Sequence, residues 1–368
     1  MQIQNEPNLK TILTTMRANT HFISNRKSIL HTLTNKRASA LICAAVVLGL
    51  GFGSNHCQAQ TPGAVDQVES VQQRRSMQEQ AELRYDTGET APELYPGESE
   101  DIGPQSVLAV KRRRTLVEGS ADIQYYYTDN VFLDHTARIR SGVMVSTAQA
   151  ELAPTPFKIG NSEFAPYVGF RQQWYDFFQY RGHNPSLKVY DFNAQTAFIG
   201  EEWRWKQNWQ FGLGFDYTRL LTTESYRQFY SEYVPRWDAT YFVPIGQKQL
   251  ISLGYQGFYH FTHASQFQVL PQSEFFDRFD NAFLASFNWA PCDHVLVQPY
   301  YTFRYTRFTR SIHRDDYLNS VGIAGYYYFC KYFSARLFTS FDNRQSNVTQ
   351  ARYHEYAAGA GADVTFRF

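Results

Sequence analysis

Residues 353–368 read YHEYAAGAGADVTFRF. Tyr356, Ala358, Ala360, Ala362, Val364, Phe366 and Phe368 form one register, and it is apolar. Glu355, Gly359, Gly361, Asp363, Thr365 and Arg367 alternate with them and are small, polar or charged. A period of two marks a strand with one greasy and one wet face. A soluble domain has no need to end on such a strand. A barrel closed in lipid does, because its last strand must pair with its first to leave no unsatisfied edge. The stretch predicts an all-β chain folded as a transmembrane antiparallel up-and-down β-barrel.

The bulk composition agrees. Aromatic residues make up 17% of the 368, with 26 Tyr and 30 Phe, while charged residues are only 19%. Mean hydropathy is nonetheless negative, at −0.45. No run beyond residue 60 has the length of a membrane helix. A lipid-facing wall with aromatic girdles at both interfaces accounts for so many rings better than a soluble core does. The formal net charge of +1 and the lack of a basic stripe argue against a nucleic-acid partner.

Upstream of the terminal strand the same alternation recurs. Gly119, Ala121, Ile123, Tyr125 and Tyr127 oppose Ser120, Asp122, Gln124 and Tyr126; Trp209, Phe211, Leu213, Phe215 and Tyr217 oppose Gln210, Gly212, Gly214 and Asp216. In the segment 190–198, Tyr190, Phe192, Ala194 and Phe198 are assigned to the lipid face against Asp191, Asn193 and Gln195. About twelve such strands are countable, each near the length that crosses a tilted bilayer. Short connections (202–208, 244–248, 290–294, 330–332) alternate with mostly longer polar ones (180–186, 221–228, 260–278, 310–315, 344–352). Short periplasmic turns and longer outer loops are the barrel pattern. The turn 153–163 is longer than that pattern predicts for its side.

The N-terminal part is different. Basic residues Arg26, Lys27, Lys36 and Arg37 precede the apolar run ASALICAAVVLGLGF (38–52) and then SNHCQAQ (54–60). This is the order of a secretory signal peptide, with cleavage expected near Ala59 and either Met1 or Met16 as the start. Residues 1–59 are thus an extension plus signal, and residues 107–368 the barrel. Residues 60–106, rich in Gln, Glu, Ser and Pro, read as a largely disordered periplasmic linker. The alternative is a plug folded into the barrel mouth. Within them, Val65 to Tyr85 carries good helix formers but few large apolar side chains.

By register, the lumen candidates are Asp122, Glu151, Arg171, Asp191, Asp216, Arg236, Asp238, Asp280, Arg304, Arg336, Asp342, Asp363 and Arg367. Charged walls of this kind select small polar solutes in an open pore, or seal a narrow barrel as a salt-bridge network. The slight acid excess predicts weak cation preference if the pore is open. His183, His260, His263 and His313 fall near the outer rim without repeating ligand spacing, so neither metal nor cofactor is expected. His263 with Ser265, and His313 with Ser311, are the available pairs for a rim hydrolase. Neither comes with an orienting partner, so the chain is read as a non-enzyme. Cys292 and Cys330 lie in two short turns on the periplasmic side, where a disulfide between them is chemically permitted. Gly212, Gly214, Gly254, Gly359 and Gly361 on the lumen face are read as letting the wall bend or loops pack inward.

The segment YYTDNVFL (126–133), at the end of the first strand, resembles the uncharacterised outer-membrane β-barrel porin family of Gram-negative bacteria. The resemblance covers roughly residues 107–368. The terminal strand likewise resembles those of outer-membrane barrels that finish on Phe. This implies that Val364, Phe366 and Phe368 form the signal read by the barrel-assembly machinery. The resemblance implies location and architecture, a single barrel among outer-membrane lipids, and not a substrate. The charged lumen itself is what reads as a passive channel for small hydrophilic solutes. A closed structural or surface-interaction barrel is the alternative.

Overall fold

The computed structural model describes residues 61–85, 116–135, 138–179, 187–206, 208–246, 248–264, 276–310, 313–330 and 332–367. The signal-peptide reading, His183, Ser265, Ser311 and Phe368 lie outside them.

Thirteen strands form one sheet. In order they are β1 (Val117–Thr128), β2 (Ser141–Leu152), β3 (Phe157–Ile159), β4 (Ser162–Gln179), β5 (Phe192–Trp205), β6 (Trp209–Thr222), β7 (Gln228–Gly246), β8 (Gln249–Ala264), β9 (Arg278–Cys292), β10 (Val295–Phe308), β11 (Asp315–Cys330), β12 (Phe333–Ser346) and β13 (Tyr353–Arg367). The three-residue β3 is a flap paired only with the start of β4, so twelve long strands make the wall. Each pairs antiparallel with its sequence neighbour. The ring closes where β13 pairs β1, Glu118 opposite Arg367 through Thr128 opposite Ala357. The terminal strand thus meets the first, as its apolar register demands in lipid.

The long 153–163 connection is explained by β3. Phe157 and Phe164 stack at 5.4 Å across a hairpin whose turn uses Gly160 at φ +60°. That conformation favours glycine. This flap begins a run of rings along the periplasmic edge. Phe164 stacks on Trp203 at 5.7 Å, Trp203 meets Phe211 at 5.0 Å, and Trp209 meets Tyr241 at 4.8 Å. At the other edge, Tyr217 and Tyr233 lie 4.8 Å apart, and Tyr305 and Tyr317 5.2 Å apart. These are the two girdles that the aromatic content predicts.

Outward-pointing side chains follow the alternation. Ile123, Leu213, Phe283, Val321 and Leu337 are exposed, as lipid-facing residues are when no lipid is present, while Gln124, Thr240, Gln298 and Ser320 are buried inside. β5 is the exception. Phe192, Ala194 and Phe198 are buried in the interior and Ile199 faces out at 56% exposure, so the expected register of this strand is inverted. The period-two rule sent its apolar set to lipid. The interior of this sector is itself apolar, and Gln195 bonds Arg219 on the exposed face at 2.6 Å.

The reason lies inside the ring. Residues expected to be a linker, with helix-forming capacity over 65–85, form helix α1 (Thr61–Tyr85). Pro62 suits the first helical turn, where its missing N–H would be unsatisfied anyway. Ala64, Val65, Val68 and Val71 make one stripe and are buried against Tyr126, Val143, Val145, Tyr175, Phe192 and Phe229. Asp66, Glu69 and Gln73 recur at helical spacing on another face and meet the opposite wall. The segment has too few large apolar residues for a core of its own. Inside a barrel it needs only to match the wall, which supplies the large rings.

Candidate functional site: the filled lumen

Gly63 packs beside the outer β1–β2 connection at Phe132, whereas the Met77 carbonyl accepts from Gln298 near the periplasmic start of β10. α1 therefore runs from the outer mouth toward the periplasmic mouth. At about 1.5 Å per residue, a helix of its 25 residues is long enough to span the wall.

Three polar layers surround it. In the outer layer Arg344 grips Asp66 with both terminal nitrogens, at 2.8 and 2.9 Å. Glu69 accepts from Arg278 with one oxygen and from Arg304 with the other, the second at 2.8 Å, while Gln73 accepts from Arg304 at 2.9 Å. Behind Arg278, His260 lies 2.9 Å from Glu232 and 3.4 Å from Asp280. In the middle layer Tyr126 donates to Gln67 at 2.5 Å, Gln67 donates to the Val131 carbonyl, and the Arg74 guanidinium sits 4.9 Å from the Tyr126 ring. Toward the periplasm Arg336 holds Asp122 at 2.6 and 3.0 Å, and Arg75 donates to Ser120 at 2.8 Å. Two small gaps between α1 and the wall are lined by Gly63, Gln67 and Phe192, and by Arg74, Met77 and Phe338.

Most sequence-derived lumen candidates belong to this interior. Asp216 pairs with Arg236 at 3.1 Å, and Arg236 also donates to the Tyr167 hydroxyl at 2.6 Å. Asp342 accepts from Ser320, Asp363 accepts from Thr365 at 3.0 Å, Glu151 lies 3.5 Å from the Gln149 amide, and Arg171 sits 5.5 Å from the Phe198 ring. Asp238 lies against Gly212, where a side chain would collide with it. Gly214 likewise leaves room for Arg236, since an added Cβ would stand 2.8 Å from the guanidinium carbon. Gly212 and Gly214 thus let large neighbours lie flat on the wall, a more specific role than wall bending.

Asp191 is a correction. It precedes β5 at the outer rim, accepts from the Phe177 amide at 2.9 Å, and does not face the lumen. Burial pushes its carboxyl up to about 7, against the pull of that amide. The side chain of Arg367 lies outside the described residues. His260 lies near the outer end of β8, as expected, but it is buried in the wall against Glu232 and Asp280. Cys292 and Cys330 are exposed free thiols with no disulfide between them. Val364 and Phe366 point to the lipid side, the latter 43% exposed.

Sequence reasoning missed Arg278 and Arg344 as lumen residues because they fall in stretches read as outer connections (260–278 and 344–352), and Glu232 because it precedes the countable part of its strand. Glu355 stands on the wet face of the terminal strand but is not counted among the lumen candidates. Counting the inward parity on to the ends of β7, β9, β12 and back to the start of β13 would have found them. Glu69, His260 and Asp280 each offer one ligand atom within 4.8 Å. Arg278 and Arg304 take the two Glu69 oxygens, and Arg278 and His260 share Asp280 Oδ2, which is ion-pair geometry.

No protein-family model matches the chain, and no curated protein matches it. Solved structures found similar include outer-membrane porins and channels as well as autotransporter domains. The KdgM porin is 10% identical, covering 67% of this chain and 99% of its own, at a TM-score of 0.35. The COG4313 outer membrane channel from Pseudomonas putida F1 is 8% identical, covering 74% and 100%, at 0.45. The NanC porin is 8% identical, covering 66% and 98%, at 0.39. At these values the likeness is one of barrel architecture and carries no inference about cargo.

Proposed function

We propose that this protein is an outer-membrane β-barrel that passes small hydrophilic solutes passively, and that residues 61–85 close it as a plug. The observation that carries the reading is the wall itself. A twelve-strand ring encloses a lumen polar and charged along much of its length, with an apolar exterior between two aromatic girdles. The lumen residues named above would orient solutes and ions; none is assigned a catalytic role. The girdles seat the ring among outer-membrane lipids. Val364 and Phe366, on the apolar face of β13, and Phe368 after it in sequence are the residues the assembly machinery would read. Export through a signal peptide cleaved near Ala59 would deliver the chain to that compartment.

One observation favours a second reading, that of a closed structural barrel: α1 fills the lumen and is bonded to it from mouth to mouth. Planar-bilayer conductance separates the two. The full chain should be mostly closed, and a variant lacking residues 61–85 should show stable conductance steps. Silence in that variant, with the barrel shown folded by heat-modifiable gel mobility, would discard the channel in favour of the structural barrel.

A further inference from the structure

The outer polar layer is asymmetric in its pairing. Arg278, on β9, has carboxylates of its own wall, with Asp280 at 3.5 Å and Glu232 at 3.9 Å. Arg304 on β10 and Arg344 on β12 differ. Among the described residues, the carboxylates paired with these two both belong to α1. Both guanidiniums are largely buried, at 11% side-chain exposure each. Among the described residues the Nε of Arg304 has no hydrogen-bond partner, so a donor is left for a ligand. Wall carboxylates Asp280, Asp316 and Asp342 lie near enough to act on these arginines through space. The direct ion pairs nonetheless come from α1, whereas around Arg236 and Arg336 the wall supplies the paired carboxylate itself.

We propose that Arg304 and Arg344, flanked by Arg278, line an anion-binding constriction that takes solutes bearing two or more carboxylates, and that Asp66 and Glu69 of α1 occupy it as an internal ligand. The proposal rests on the channel reading for its biological sense. Its geometry stands on the contacts alone. Asp66 and Glu69 are three residues apart on a helix, so their side chains start about 5–6 Å apart on one face. Arg344 meets the first with a two-pronged fork, the arrangement in which a guanidinium recognises a planar carboxylate. Arg278 and Arg304 share the second, one guanidinium to each oxygen. A small polycarboxylate presents the same groups at comparable spacing. When α1 leaves, the two arginines lose their paired carboxylates, and an acidic solute restores them. Plug and solute therefore compete for one site, and an acidic solute would promote its own passage. The overall acid excess of the wall does not oppose this, because Asp280 and Glu232 are engaged with His260 and Arg278, Asp342 with Ser320, and Asp316 with Arg314.

The test is calorimetric titration of citrate into the folded, detergent-solubilised full chain. D66N/E69Q, which removes the internal ligand and keeps the arginines, should bind citrate about tenfold more tightly than the parent, or better. Adding R304Q/R344Q to that variant should weaken binding by a similar factor. Binding no tighter in D66N/E69Q, or indifferent to R304Q/R344Q, would overturn the proposal. If D66N/E69Q does not fold, the unaltered chain still decides the matter. Citrate should speed tryptic cleavage at Arg74 and Arg75 by displacing α1, and a neutral sugar should not; equal cleavage in both would overturn the proposal. Conductance keeps the two readings apart. Citrate binding without current in the variant lacking residues 61–85 upholds the site and sinks the channel. Current in that variant, with no citrate binding by D66N/E69Q, sinks the site and leaves the channel.

Discussion

Replacing Val68 by Asp should unseat α1. Val68 is 3% exposed and sits in the apolar stripe packed on Tyr126, Val143 and Val145. Losing the buried valine costs about 1.5–3 kcal/mol. Setting a carboxylate among apolar groups adds the penalty of a buried, unpaired polar group, itself of order 1–3 kcal/mol. Taking about 3 kcal/mol as a conservative total, the ratio of seated to unseated helix falls about 150-fold. Two assays read this shift. Tryptic cleavage at Arg74 and Arg75 should accelerate, and single-channel open probability in a planar bilayer should rise. Val68→Ala, which removes bulk without adding charge, should lie between the parent and Val68→Asp in both assays. The barrel itself should survive, because the strand pairing does not involve α1. If Val68→Asp leaves cleavage and current as they were in a folded barrel, the claim that this stripe seats the helix is wrong.

The inverted register of β5 predicts that Ile199→Cys and Leu213→Cys, exposed on the outer wall at 56% and 67%, resist a charged maleimide in intact membranes and react with a lipid-soluble one. Labelling of Ile199→Cys from water would restore the original register. Gly359 faces Tyr126 across the closing seam, and an added Cβ would stand 2.5 Å from the Tyr126 Cβ. Gly359→Val should therefore cost about 1–3 kcal/mol by overpacking, seen as a lower temperature for the gel-mobility shift. An unchanged shift temperature would argue against that contact. Asp191 supplies a pH effect. Its folded carboxyl is raised to about 7 by burial, so the folded state holds its proton more tightly than the unfolded one. Its contribution to stability is full below the ordinary Asp range and is lost as pH rises through about 7. Asp191→Asn should abolish that part of the pH dependence, and an unchanged profile would reject it.

Alternation alone determined much of the architecture. A strand such as β13, apolar at Tyr356, Ala358 and Ala360 and small or charged between, has one stable setting once one face meets lipid and the other water. Eleven strands repeat that pattern, and their inward residues, from Asp122 to Asp363, could be read directly. Local rules also sufficed for the girdles and for the helix-forming capacity of 65–85.

What only the tertiary structure decided is what fills the ring. A barrel interior has no fixed polarity of its own. Where α1 presents Val65, Val68 and Val71, the wall answers with Phe192, Ala194 and Phe229, so β5 turns its greasy register inward against the lipid rule. Where α1 presents Asp66 and Glu69, the wall answers with Arg278, Arg304 and Arg344. Those partners lie more than two hundred residues away in sequence. No local period encodes such pairing. It exists because ring closure between β1 and β13 brings the two ends of the chain around one helix.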